Sequence, residues 1–97
     1  MTDVRLFLVA YDISSPKRWR RVQKAIRRLC HREQLSVFAC RGTAARIARL
    51  ETELRRILHP QEDRLMVLDL GPAESAGEKL KSINPLTTMA DLESMIL

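Results

Sequence analysis

A single carboxylate set against a dense block of positive charge is the part of this chain best suited to chemistry. The apolar run at residues 4–11, VRLFLVAY, closes on Asp12, and Ser14, Ser15 and Pro16 then open KRWRRVQKAIRRLCHR. Lys17, Arg18, Arg20, Arg21, Lys24, Arg27, Arg28 and Arg32 place eight positive charges in sixteen residues with no acid among them. The whole chain is only +5, so everything outside this block sums to −3. Charge that local is expected of a surface that meets phosphates. Solvated helix faces ordinarily mix signs, and this one does not. A carboxylate beside it fits magnesium, which typically uses one or two carboxylates with waters and phosphate oxygens. Such a metal polarises a phosphate or activates water for phosphodiester cleavage. A two-fold axis beside Asp12 would supply a second carboxylate. The structural alternative is that Asp12 accepts hydrogen bonds from the amides of Ser14 or Ser15 in the following loop.

No conventional general base accompanies Asp12. His31 and His59 fall near helix ends and are assigned to helix-terminal carbonyls. Trp19 is assigned to the core, and Phe38 to a core or an interface. Aromatic residues make up only 4% of the chain, which disfavours recognition of single strands by stacking. Cys30 and Cys40 have neither CxxC spacing nor companion cysteines. A zinc site or disulfide is therefore not expected, and both read as buried thiols in a reducing cytoplasm. No apolar run approaches the roughly 20 residues that span a bilayer, so no membrane partner is expected. Asp3 precedes the first apolar run without a basic leader, which argues against a secretion signal.

The elements that must position these residues follow from periodicity. Residues 4–12 read as a strand, apolar on both faces apart from Arg5. Ser14 or Ser15 caps a helix that begins at Pro16 and buries Trp19, Val22, Ile26 and Leu29. Residues 34–40, QLSVFAC, are β-like. Thr43 caps a second helix over 44–58, with Ile47, Leu50, Leu54 and Ile57 inward and Glu51 and Arg55 spaced to pair. On that helix Glu51 and Glu53 dilute Arg46, Arg49 and Arg56. Glu62 and Asp63 turn the chain into a strand over 64–70. A minimal strand pair within 33–41 completes an α+β ferredoxin-like βαββαβ fold; a single bent strand is the alternative. Two helices cover one sheet face, yet Leu6, Leu8 and Ala10 point to one side and Phe7 and Val9 to the other. A homodimer packed sheet to sheet is the simplest cover. The domain spans 1–70. The tail, 71–97, is expected to hold a flexible connection at 71–77, an extra strand at 79–84 and a short docking helix carrying Met89, Leu92 and Ile96.

YDI at 11–13, the Arg18, Arg21, Val22 step, QLSVF at 34–38 and HPQED at 59–63 occur in an order and spacing that resembles a known family. It is that of the second CRISPR-associated (Cas) protein, the small subunit of the spacer-acquisition machinery. The resemblance covers residues 4–70. It implies a ferredoxin-like homodimer acting in antiviral defence as a magnesium- or manganese-dependent endonuclease on RNA or duplex DNA. It also implies a scaffold bridging CRISPR-associated integrase subunits during adaptation. On this reading Asp12 is the metal ligand and catalytic residue with Tyr11 beside it. Lys17, Arg18, Arg20, Arg21, Lys24, Arg27 and Arg28 hold the nucleic acid. The alternatives are a stand-alone metal-dependent endoribonuclease and a non-catalytic ferredoxin-like binding module. The chain departs from the family at Cys30, where members commonly have glycine, and at Ala39, where they commonly have an acid.

Overall fold

The computed structural model describes residues 3–81 and 83. Strand β1 (Arg5–Asp12) leads to helix α1 (Pro16–Ile26), the strand pair β2 (Cys30–Gln34) and β3 (Val37–Gly42), helix α2 (Ala44–Ile57) and strand β4 (Arg64–Pro72). The sheet order is β2-β3-β1-β4 and every neighbouring pair is antiparallel. This is the ferredoxin-like βαββαβ plan, and the strand pair, not the single bent strand, is what forms.

Alternation along β1 divides the apolar residues between two faces. Phe7, Val9 and Tyr11 face the helices and pack in one cluster with Val22, Ala25, Ile26, Ile47, Leu50 and Leu54. On the other face Leu6 and Ala39 are covered by Ala76. Met66 and Leu68, which pair with Ala10 and Leu8, remain 71% and 57% exposed. The face carrying Leu6, Leu8 and Ala10 is thus the one the two long helices leave open.

Three expectations give way here. Helix α1 stops at Ile26, with Arg27 as its cap, and does not run on through the second half of the basic block. The chain turns, and Cys30–Gln34 becomes an edge strand because pairing with β3 satisfies its backbone groups. Cys30 therefore lies opposite Cys40, and the two form a disulfide across the hairpin, Cα to Cα 3.9 Å. They are not free thiols, and the argument from thiols to a reducing compartment falls with that reading. Nor do the histidines cap helices. His31 Nε2 lies 2.8 Å from Glu33 Oε1 within β2. His59 Nδ1 accepts from the amides of Gln61 and Glu62, each at 3.2 Å.

The boundary expected at residue 70 also moves. Strand β4 runs to Pro72, with a register shift opposite Leu6 and Phe7. Gly71 takes a φ of 102°, a conformation that favours glycine, and its amide donates to Asp69 Oδ1 at 2.8 Å. A helical turn, α3 (Ala73–Ala76), and a 3-10 turn (Gly77–Lys79) follow. They are pinned by the Ala73 amide donating to the Val4 carbonyl at 2.9 Å. Residues 71–77 are thus a packed closure over Leu6 and Ala39, not a flexible connection. Lys79 belongs to the 3-10 turn, so the expected strand does not begin there. Most of the remainder of that strand, and the helix carrying Met89, Leu92 and Ile96, lie outside the described residues. Among the described residues no helix is long and apolar enough to cross a membrane.

Candidate functional site

Asp12 is the last residue of β1, and its cross-strand partner on β4 is Arg64. Strand alternation turns its side chain away from Tyr11 and toward the open sheet face. The carboxylate is exposed and, among the described residues, accepts no hydrogen bond. Asp12 lies between two shallow recesses. One is lined with Ala10, Arg64 and Met66, and the other with Trp19, Leu35 and Ser36. Two free carboxylate oxygens at a wet surface suit a hard cation such as magnesium. One protomer offers a single ligand, however: the described residues contain no group of three His, Cys, Asp or Glu that could hold a metal. A single carboxylate supplies only part of the oxygen shell that such a cation takes.

Tyr11 points to the opposite face of the strand from Asp12. Its ring lies under the helices, and its hydroxyl accepts from Trp19 Nε1 at 2.8 Å and Arg32 Nη2 at 3.4 Å while donating to the Leu35 carbonyl at 3.3 Å. Burial pushes the Tyr11 hydroxyl above its usual pKa, outweighing the contrary effects of Trp19 and Arg32. It therefore stays protonated at neutral pH and fixes the strand end from behind. Tyr11 thus packs beneath the helices and also lines both recesses that Asp12 borders.

The basic block separates into two populations. Arg32 sits in β2, buried, with Cζ 5.3 Å from the Trp19 ring centroid and 5.0 Å from that of Phe38. The aromatic faces stabilise its charge in place of phosphate. Its Nε and Nη1 have no acceptor among the described residues. Arg18 is engaged as well: Nε donates to Asp63 Oδ2 at 2.7 Å and Nη2 to Glu62 Oε1 at 3.1 Å. Lys17, Arg20, Arg21, Lys24, Arg27 and Arg28 are all exposed and, among the described residues, make no ion pair. The helix that carries most of them starts at Pro16, where Ser15 Oγ accepts from the Arg18 amide at 3.2 Å.

Asp63 is the residue that sequence reasoning passed over. Its side chain is shielded from solvent and accepts from Arg18, from the His59 amide at 2.8 Å and from the Ser14 amide at 3.4 Å. The Arg18 hydrogen bond, assisted by the His59 and Ser14 amides, lowers its pKa to about 2 against the opposing effect of burial. The loop-bracing role weighed for Asp12 thus belongs to Asp63. Its signal in the sequence was only the HPQED string, because Arg18 lies 45 residues away. Ala39 is also accounted for: it is buried against Leu6 and Ala76, where an acid would be desolvated in this chain.

The model of the CRISPR-associated protein Cas2 family matches residues 5–76. A protein of Geobacter sulfurreducens named CRISPR-associated endoribonuclease Cas2 is 42% identical over 78 residues, covering 80% of this chain and 82% of that one. One of Rhodospirillum rubrum, named CRISPR-associated endoribonuclease Cas2 1, is 35% identical over 91 residues, covering 94% and 89%. The crystal structure of Streptococcus pyogenes Cas2 superposes with a TM-score of 0.72 at 26% identity, covering 81% of this chain and 99% of that one. The match runs from the strand that ends on Asp12, through both helices, to the α3 turn that closes the sheet, and the chain belongs to the CRISPR-associated Cas2 family.

Proposed function

We propose that this protein works in CRISPR adaptation as a dimeric scaffold that holds duplex nucleic acid between integrase subunits. The observation that carries the reading is the set of six exposed cations on and just beyond α1 that make no ion pair among the described residues. Cations spared from internal pairing are available to replace the counterions of a phosphate backbone. The open sheet face supports the dimer. Met66 and Leu68 stand exposed beside the half-buried Leu8 and Ala10, and a two-fold packing over this apolar surface would bring the Asp12 pair toward the axis. Such a protein works in the cytoplasm, where the nucleic acid it captures resides.

The second reading is a magnesium-dependent endonuclease, favoured by the relatives' endoribonuclease names and by the unpartnered Asp12 carboxylate. When bound, magnesium or manganese would polarise the scissile phosphate or lower the pKa of a water. The chain's own part is to hold the Asp12 carboxylate at an exposed strand end, brace the following loop through Asp63, and seat the backbone on α1. Purified wild type and Asp12→Asn, compared on RNA and duplex DNA with magnesium, decide between the readings. Cleavage lost in the variant with the fold intact supports the nuclease. Cleavage equal in both places the chemistry elsewhere. Duplex binding and co-purification with an integrase, unchanged in Asp12→Asn, support the scaffold.

A further inference from the structure

The cations of α1 do not stand alone. Helices α1 and α2 lie side by side, with the C-terminal end of α1 beside the start of α2, and a continuous groove separates them. At one end Arg28 faces Arg46 and Arg49, and at the other Arg21 and Lys24 face Arg56, with Ala25, Arg28 and Glu53 shared by both halves. None of the six cations has a side-chain ion pair or hydrogen bond among the described residues, and Glu53 is the one acid on the lining. Glu51, expected to dilute this surface, instead lies 3.9 Å from Arg55 and borders a different recess, against β4. Six like charges facing each other across a groove repel, and a fold that needed only two packed helices would not select them. An anion in the groove would relieve that repulsion.

We infer that this groove is the seat of one phosphodiester strand and that α2 contributes half of its cations. The inference rests on the nucleic-acid reading above and names the site within it. At 1.5 Å of rise per residue, Arg21 to Arg28 spans about 10 Å and Arg46 to Arg56 about 15 Å. One strand of a duplex presents a phosphate about every 3.4 Å along its axis, so the groove runs past about four phosphates. Six cations less Glu53 leave a net charge of +5, somewhat more than those phosphates carry. Lys17, Arg20 and Arg27 do not line the groove and contribute only longer-range attraction.

The test uses the full chain and a random-sequence 30-base-pair duplex DNA, titrated across a range of salt, with thermal melts to verify folding. The groove triple Arg46→Gln, Arg49→Gln, Arg56→Gln is expected to weaken binding by at least about tenfold and to flatten the log–log salt slope by about 3 per protomer. The outer triple Lys17→Gln, Arg20→Gln, Arg27→Gln is expected to weaken binding too, but by several-fold less than the groove triple does. Glu53→Gln should tighten binding, a gain that misfolding cannot imitate. Wild-type affinity in the α2 triple, with loss in the outer triple, overturns the groove while leaving nucleic-acid binding intact. Weaker binding in Glu53→Gln also counts against it. Salt-independent binding by the wild type, or none, removes the nucleic-acid reading itself and the groove with it.

Discussion

Two aspartates stand at the same end of the sheet and have opposite surroundings. Asp12 closes β1 opposite Arg64, and Asp63 immediately precedes Arg64 at the start of β4. Asp63 is shielded and gathers the Arg18 guanidinium and the amides of Ser14 and His59. Asp12 is exposed and gathers nothing among the described residues. A strand-end aspartate becomes structural when donors converge on it, and the donors here converge from two loops onto Asp63. The two states are linked: the Ser14 amide and Arg18, both close to Asp12 in sequence, are held by Asp63. By holding them it leaves the Asp12 carboxylate available.

The largest expected effect comes from inverting that division. Asp63→Ala leaves Arg18 half-buried without its main partner and two loop amides without an acceptor. Loss of one member of a shielded pair typically costs about 3 kcal/mol. Thermal melts should show a fall of ten degrees or more, since about 1 kcal/mol shifts a domain of this size by roughly 4–8 °C. A melt like that of the wild type would show that the brace is ornamental.

Acid titration sharpens the same contrast at smaller amplitude. Asp63 has a folded-state pKa of about 2, below the ordinary 3.8, so the folded state binds its proton less readily than the unfolded chain. Its stabilising contribution is therefore complete above about pH 4 and is lost as pH falls through about 2. Denaturant midpoints between pH 5 and pH 2 should decline more in the wild type than in Asp63→Asn. Parallel curves would assign the acid sensitivity to other groups.

The smallest effect is expected at Asp12. With no partner to lose, Asp12→Asn should shift stability by no more than about 0.5 kcal/mol. A shift of several degrees in its melting temperature would reveal a structural role and end the comparison.

The division between what could and could not be read in advance follows contact distance. Both helix starts were legible because a Ser or Thr cap and a Pro act within one turn: Ser15 and Thr43 accept from Arg18 and Arg46 three residues on. The two-sided character of β1 was legible because strand alternation is local. The end of α1 was not. Residues 27–32 continue a basic helical pattern, yet 27–29 turn and β3 offers the backbone from Cys30 onward a ladder, and long-range pairing outweighs a weak local preference. The Cys30–Cys40 bridge was missed for the same reason, since it appears only once the hairpin places those positions opposite each other. Similarly, Ala73, Ser75, Ala76 and Gly77 read as a linker by composition, while Ala76 is buried by the face it covers.

By itself the sequence determined the types of β1, α1, α2 and β4, most of the buried stripe of α1, the concentration of charge in one block and the placement of one carboxylate at a strand end. These depend on periodicity and on contacts within a few residues. Only the tertiary structure decided which members of that block are spoken for. It drew Arg32 between two rings and Arg18 onto Asp63, and it set Arg46, Arg49 and Arg56 across a groove from Arg21, Lys24 and Arg28. The physical reason is that a charge is defined by its neighbours in space, and those neighbours come from segments whose approach no local pattern encodes.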